Sequence, residues 1–327
     1  MAVVEAVTEA QEAGLSLDKA CYILELSDRN VRRWCSDAAA GRCCRRSGNP
    51  HPHNSLTPEE RERLEAICGS KDLADHSTRA LSFHLLEEES VYISHVTIHS
   101  YFHDLGVRGS RLKGNVKRGG AGKPDTTFAV EPNDLWCWDI TWLRKDVPYE
   151  HYYAYVLEDY VSRKIVGWHV SEYYDSEEAV HTWDKGITSE GLLAEPKACW
   201  PTSLSDRGPQ MKSHRTKTFF GRNGIAQLFS RPRTPNDNAR IESLFATMKT
   251  RPDYPERFGS LDEAQAWMAR FVEWYNTCHH HSSLDYVTPD QRHRGVNEQV
   301  LKQRREIKQA CLDKRAQHNR TQLTLAA

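Results

Sequence analysis

The sequence lacks the features that place a chain in or across a membrane. No run of about 18 consecutive apolar residues occurs in it. Its first 14 residues, MAVVEAVTEAQEAG, are acidic and contain no basic segment followed by an apolar one, so a secretory signal is not predicted. We therefore expect a cytoplasmic protein with no membrane partner.

The cysteines lack any repeated spacing. They number nine, an odd count, in a chain of 327 residues, and reduced thiols explain such a set better than a disulfide framework. Cys43 and Cys44 lie near His51 and His53, but no CxxC spacing accompanies them. A solvated loop is therefore favoured over a zinc site at these residues.

An overall excess of charge is also missing, because 44 basic side chains face 45 acidic ones. The distribution is nevertheless uneven. The segment 302–320 holds seven basic residues against Glu306 and Asp313, and the segment 107–127 holds six against Asp125 alone: Arg108, Arg111, Lys113, Lys117, Arg118 and Lys123. Such local clusters can bind phosphates, although solubilising charge on a loop explains either one equally well.

The N-terminal residues 9–36 have the pattern of two short helices around a turn. Leu17 and Ala20 recur at helical spacing, and Ser27-Asp28 offers a cap for the second helix. Its outer side would carry Arg29, Arg32 and Arg33. The pattern predicts a helix-turn-helix whose second helix enters the DNA major groove, with a plain helical hairpin as the alternative.

A second helix-turn-helix is predicted over residues 56–106. Thr57 is a cap followed by Pro58 at the first helical position, and Ser94 caps a helix that ends near Gly106. We thus expect two all-α units, 1–42 and 56–106. A linker rich in Arg, Gly, Pro, His and Ser joins them at 43–55, and the basic segment 107–127 forms a second linker.

Residues 128–292 have the pattern of an α/β domain. Three strand-like segments, LWCWDITWL, HYYAYVLEDYV and KIVGWHVSEY, precede a helix over about 176–189. Short strands within 199–205 and 225–230 follow, and helices over about 237–250 and 260–278 close the domain. This order predicts helices packed on a mixed sheet. Residues 293–327 form a basic, helical tail with no core of its own.

Three carboxylates lie on separate elements of this domain. Asp139 is in the first strand among apolar neighbours, Asp206 follows a strand at the edge where α/β sheets gather their sites, and Glu242 borders the buried face of a helix. Together they could bind two hard divalent cations through oxygen. Taken singly, each has a plainer explanation: a paired structural carboxylate, a turn cap and a surface charge.

Several segments of this domain resemble the transposases of the insertion-sequence-three family: PNDLWCWDITWL, YVLEDYVSRKIVGW, SDRGPQ, PNDNARIESLFATMK and the closing WYN with HSSL and VTP. The spacing also agrees, since 35 residues separate Asp206 from Glu242, as in the D,D-35-E signature. The resemblance implies a ribonuclease-H-like integrase core in which Asp139, Asp206 and Glu242 hold two Mg²⁺ ions, or Mn²⁺ in their place.

The same resemblance assigns supporting residues. Lys249, seven residues and two helical turns past Glu242, would hold a phosphate of a DNA end. Asn238 would shape the start of the Glu242 helix, which Ser243 continues, and Asn276 and His281 would support the structure. The run Cys278–His281 could bind a metal, but a structural or DNA-proximal role is favoured because neighbouring helical side chains fan out.

The function implied is that of a DNA transposase of a bacterial insertion sequence. It would bind the terminal inverted repeats and the target as double-stranded DNA, at the nucleoid, within a homodimer or larger synaptic complex. It would then cut and join strands with metal. A nuclease of the same fold and a non-catalytic DNA-binding regulator are the alternatives.

Overall fold

The computed structural model describes residues 2–23, 26–39, 52–70, 73, 76–104, 125–231 and 238–325. The chain divides into two compact units. One comprises Met1–Thr57 with Leu312–Ala327, and the other comprises Pro58–Cys311. No helix within the described ranges is both long and apolar enough to cross a membrane.

The first unit begins with three short helices, α1 (Ala2–Glu12), α2 (Leu17–Ile23) and α3 (Asp28–Ala39). They enclose a small apolar cluster of Val7, Cys21 and Val31. The two helices predicted within 9–36 are α2 and α3, and α1 packs on both. Residues 40–51, which include Cys43 and Cys44, lie outside the described ranges, so the preference for a loop over a zinc site there stays a prediction.

The second unit opens with α4 (Pro58–Gly69), α5 (Thr78–Glu88) and α6 (His95–Asp104). α4 starts at Pro58 as predicted, and the Ser94 hydroxyl accepts a hydrogen bond from the Thr97 amide at 3.2 Å, which confirms that cap. α5 was not predicted, although Ser77 caps it by accepting from the Ala80 amide. The helical region over residues 58–104 is therefore present, and its interpretation as a helix-turn-helix stays a prediction.

A five-stranded mixed sheet forms the centre of the second unit: β1 (Leu135–Arg144), β2 (His151–Asp159), β3 (Ile165–Ser171), β4 (Thr202–Ser205) and β5 (Gln227–Phe229). The strand order is β3-β2-β1-β4-β5. β1, β2 and β3 pair antiparallel, whereas β4 pairs parallel with both β1 and β5. All five strands lie where they were predicted, with β4 and β5 shorter than expected.

Helices cover both faces of the sheet because β1 alternates its side chains. Cys137 and Leu143 pack into the cluster formed with α10 (Ala239–Lys249) and α11 (Leu261–Thr277). Trp136 and Trp138 point the other way, into the cluster formed with α7 (Ser176–Ser189). This arrangement confirms the predicted α/β class. Two helices between Asp206 and β5 were not predicted: α8 (Pro209–Lys212) and α9 (His214–Asn223).

The chain closes with α12 (Pro289–His293) and the 29-residue α13 (Asn297–Leu325). Arg304, one of the seven basic residues of the tail, is buried and bonds through Nε to Glu87 at 2.7 Å. Its guanidinium also donates to the backbone oxygens of Asp285 and Tyr286. Arg304 therefore stabilises the fold and is not available to a phosphate.

Candidate active site

Asp139 lies in the central strand β1, on the face that packs against α10 and α11. Its Oδ1 accepts a hydrogen bond from the Ile140 amide at 2.8 Å. Burial, with a smaller contribution from the negative charges of Asp206 and Glu242, raises the pKa of Asp139 to about 7 against the opposing effects of that hydrogen bond and of Lys249. The charged form is thus disfavoured until a cation arrives.

Asp206 follows β4 and is held by a short turn. Its Oδ1 accepts a hydrogen bond from the Gly208 amide at 2.8 Å, the geometry expected of a plain turn cap as well as of a fixed ligand. A side chain at Gly208 would crowd that carboxylate, because a Cβ there would lie 3.0 Å from Asp206 Oδ1 and 2.9 Å from Met211 Sδ. The turn fixes the direction of the Asp206 carboxylate at the sheet edge.

Glu242 is in the first turn of α10, where an acidic side chain interacts favourably with the helix dipole. Ile241 and Leu244 are buried and anchor the helix beneath it. Glu242 is itself exposed, and the burial it does have raises its pKa. Asn238 occupies the cap position but makes no side-chain cap bond, and its buried amide atoms have no partner among the described residues.

Lys249 lies at the last position of α10, two turns beyond Glu242. Partial burial and the nearby Arg144 lower its pKa, whereas the charge of Asp139 opposes that effect. Lys249 therefore belongs to the same electrostatic neighbourhood as the carboxylates. Its role in holding a phosphate stays a prediction.

The donor set fits a hard divalent cation, since all three groups are carboxylates and Asp139 is destabilised as an anion. Within the described ranges, no three His, Cys, Asp or Glu side chains converge closely enough to hold a metal. The charges of Asp206 and Glu242 act on Asp139, which makes the three carboxylates electrostatic neighbours, and their assignment to one metal site stays a prediction. For the run Cys278–His281, the contacts of its histidines bear on the choice between a metal site and a structural role.

The three histidines of that run bind separate partners. The ring of His279 stacks on Tyr275 with centroids 5.1 Å apart, and His280 Nε2 lies 3.0 Å from Glu87. His281 Nδ1 accepts a hydrogen bond from the Ser283 amide at 3.2 Å. These contacts support the structural interpretation of the run.

The proposed DNA contacts are only partly described. Arg29, Arg32 and Arg33 are exposed on α3, and Arg32 also forms surface ion pairs with Asp18 and Asp28. Residues 107–124 of the basic linker fall outside the described residues, and with them Arg108, Arg111, Lys113, Lys117 and Arg118. Both sets remain predictions.

Tyr174 is a neighbour of the carboxylates that the sequence did not reveal. Burial raises its pKa, and the charges of Asp206 and Asp139 raise it further. Its backbone oxygen accepts a hydrogen bond from Gln210 Nε2 at 3.0 Å, which ties the loop after β3 to α8. No motif surrounds this tyrosine, so only the folded chain brings it to the site.

Two family models of the integrase core domain match the chain. The first covers residues 129–235, which include Asp139 and Asp206, and the second covers residues 223–289, which include Glu242 and Lys249. The curated relatives are insertion-sequence transposases. The chain belongs to the insertion-sequence-three transposase family. Its mixed sheet is the ribonuclease-H-like core expected of that family.

Among the relatives of this family member is the transposase for insertion sequence element IS904 of Lactococcus lactis subsp. lactis (strain IL1403). It is 32% identical over 167 residues, which are 49% of this chain and 61% of that protein. Transposase InsF for insertion sequence IS3fB of Escherichia coli (strain K12) is 28% identical, and the match covers 50% of this chain and 55% of InsF. The similarity thus spans less than two thirds of each relative.

Solved structures of viral integrases are similar at lower identity. The HTLV-2 integrase catalytic core domain in complex with magnesium (trimeric form) is 18% identical, with a TM-score of 0.37, over 50% of this chain and 99% of that one. A simian T-cell lymphotropic virus intasome in complex with PP2A regulatory subunit B56 gamma is 16% identical, with a TM-score of 0.42. The match covers 69% of this chain and 74% of that one.

Proposed function

We propose that this family member is a DNA transposase that binds the terminal inverted repeats of an insertion sequence and catalyses metal-dependent strand cleavage and strand transfer. One observation carries the proposal: the two regions that match the integrase core domain hold Asp139, Asp206 and Glu242, and the charges of the last two act on the partly buried carboxyl of Asp139. Three acidic groups on three elements are costly to gather unless a cation binds them.

The chemistry follows from what these side chains can do. Asp139, Asp206 and Glu242 would hold Mg²⁺, with Mn²⁺ as a substitute and two ions for each site. When bound, the metal would polarise the phosphodiester and stabilise the attacking and leaving oxygens. The carboxylates act as ligands and form no covalent bond to DNA. Lys249 would position the phosphate of a DNA end next to them.

Recognition of the DNA ends is assigned to the helical N-terminal region. Arg29 and Arg33 are exposed on α3, where they could reach bases or phosphates if that helix enters the major groove. The basic linker would add phosphate contacts. We further propose that two or more copies act in one synaptic complex, because the two ends of an element must be joined together.

The test is strand transfer in vitro with Mg²⁺ or Mn²⁺, labelled DNA carrying the element's own ends, and a plasmid target. Asp206→Asn should abolish joined products while DNA binding persists. Asp262→Asn is the control, since Asp262 is an exposed aspartate in the first turn of α11 and belongs neither to the site nor to the basic linker. Nicking without joining would indicate a nuclease, and binding without either reaction would indicate a DNA-binding regulator.

Lys249 is tested separately through the salt dependence of binding. The affinity for DNA falls as salt rises. If Lys249 neutralises one phosphate, Lys249→Gln should make the slope of log affinity against log salt less steep by about 0.9. Lys217→Gln on α9 is the control, because Lys217 is exposed and lies outside the site. An unchanged slope in Lys249→Gln would remove the phosphate contact from the proposal without affecting the roles of the carboxylates.

A further inference from the structure

A cavity of about 630 Å³ lies beside α10, the helix that carries Glu242. α10 contributes Ser243, Thr247 and Thr250, which recur at i, i+4 and i+7 and so share one helix face. The remaining wall comes from α5 and from the end of α11 with the segment after it. The volume is typical of cavities that bind small organic groups.

The lining combines rings with hydrogen-bonding groups. Trp274, His279 and Tyr286 contribute rings, and the hydroxyls of Ser77 and Ser243 are also among the lining residues. The rings can stack on a planar ligand. Hydroxyls and imidazoles can bond to the polar edge of such a ligand.

The lining carries little available positive charge. Among the described lining residues Arg251 is the only lysine or arginine, and it pairs with Asp253 at 2.7 Å while its guanidinium lies 3.8 Å from the Trp274 ring centroid. Burial lowers the pKa of His279 to about 3 and that of His281 to about 4, so both are neutral at physiological pH. The cavity therefore favours an uncharged planar group over a phosphate.

His280, which also lines the cavity, has one ring nitrogen without a hydrogen-bond partner among the described residues. Its side chain is only 7% exposed, and its Nε2 is engaged by Glu87 at 3.0 Å. Its Nδ1 is buried and has no hydrogen-bond partner within the described ranges. A buried ring nitrogen in that state is costly.

We propose that this cavity holds an unpaired nucleobase of the DNA strand whose phosphodiester lies at Asp139, Asp206 and Glu242. The inference rests on the proposed function, because it takes DNA as the substrate. Ser243 immediately follows Glu242, so the cavity begins one residue from the third carboxylate. A base inside a duplex cannot enter such a concavity, and the base must leave the stack first.

The test compares two DNA probes with the full-length protein and no divalent metal, so that no strand is cut. Both are the same short duplex with a 3′ overhang, which consists of thymidines in one and of abasic nucleotides in the other. The phosphates are identical, so a difference in affinity reports on the bases. We expect the thymidine probe to bind about 5- to 100-fold more tightly, as stacking of one base implies.

Thr250→Trp should fill the cavity and abolish that preference, leaving affinity for the abasic probe unchanged. Thr277→Trp is the matched control and should retain it. Both threonines are exposed at the C-terminal end of a helix, and each hydroxyl donates to the backbone oxygen four residues back at 2.8 Å. Only Thr250 lines the cavity.

The outcomes separate the two proposals. Equal affinity of the wild-type protein for both probes, or a preference that survives in Thr250→Trp, would overturn the base-binding cavity and leave DNA binding intact. Failure to bind either probe would overturn the proposed function and the cavity together. Loss of the preference in both variants would assign it to general packing and would also overturn the cavity.

Discussion

The side-chain amide of Asn276 bonds to both backbone groups of Ile165. Asn276 Nδ2 donates to the Ile165 oxygen at 3.0 Å, and Asn276 Oδ1 accepts from the Ile165 amide at 2.8 Å. Ile165 begins β3, the edge strand of the sheet, so the asparagine takes the place of a neighbouring strand at that point. The residue was predicted to be structural support, and this contact explains how it acts.

Asn276→Ala should destabilise the protein by about 2–4 kcal/mol, because it leaves a buried amide and a buried carbonyl of Ile165 without partners. Urea unfolding of the apo protein would measure the loss. Glu273→Ala, an exposed change on the same helix, should cost about 0.5 kcal/mol or less. Similar losses in the two variants would mean that the Asn276 bonds contribute little.

Glu158 is buried in β2, and its pKa is raised to about 7 from an ordinary 4.5 by burial, which outweighs the charge of Arg163 4.0 Å away. A raised carboxyl pKa means that the folded state binds the proton more tightly. Stability from this group is therefore full below pH 4.5 and is lost as the pH rises through about 7.

Glu158→Gln should accordingly stabilise the protein by about 1–3 kcal/mol at pH 8 and by much less at pH 4.5. The comparison is urea unfolding of both proteins at the two pH values, with the exposed Glu195→Gln as control. A variant that is less stable than wild type at pH 8 would contradict the prediction and show that the ion pair with Arg163 dominates.

His279 and His281 affect the pH dependence of stability in the opposite direction from Glu158. Burial lowers their pKa values from 6.5 to about 3 and about 4, and the bond from the Ser283 amide needs a neutral His281 Nδ1. The unfolded chain takes up protons near pH 6.5, whereas the folded chain does not. Stability is therefore full above pH 6.5 and falls as the pH drops towards 4.

His281→Asn retains an acceptor for the Ser283 amide and removes the titration. Its free energy of unfolding should fall less steeply than that of wild type between pH 6.5 and 4, by about 1.4 kcal/mol per pH unit at most. His214→Asn, at an exposed position, should leave the slope of wild type unchanged. Parallel pH profiles for wild type and His281→Asn would refute the assignment.

Metal binding can be measured without catalysis. Mn²⁺ should raise the Tm of the wild-type protein by about 3–8 °C at saturating concentration, because a ligand that binds only the folded state stabilises it. Asp139→Asn and Asp206→Asn should lose most of that shift, and Asp262→Asn should keep it. An equal shift in all four proteins would place the bound metal elsewhere.

The sequence was most informative where the periodicity of apolar residues agrees with the residues that start or end a helix or strand. The aromatic and branched residues of β1 to β3 predicted those strands, and Pro58 and Ser94 gave the starts of two helices. α9 was missed although Ser213 caps its start and Gly224 ends it with a positive φ, since its exposed basic residues obscure the apolar stripe.

The site was predictable in its residues and not in its surroundings. The motifs and their spacing identified Asp139, Asp206 and Glu242, because the residues around each carboxylate form a recognisable segment of sequence. Tyr174 leaves none, since its approach to Asp206 depends on how the loop after β3 packs against α8. The buried Arg304 was counted with the basic tail because charge in a sequence does not reveal a distant partner such as Glu87.

Register within the sheet separates the three carboxylates into two kinds. Cys137 of β1 pairs with Leu204 of β4, and Asp139 and Asp206 each follow that pair by two residues. The parallel pairing of β1 with β4 therefore brings these two carboxylates to one edge of the sheet. Glu242 belongs to a helix that packs on the sheet, where Ile241 and Leu244 anchor it. A change in the packing of Ile241 or Leu244 would therefore displace one carboxylate relative to the other two.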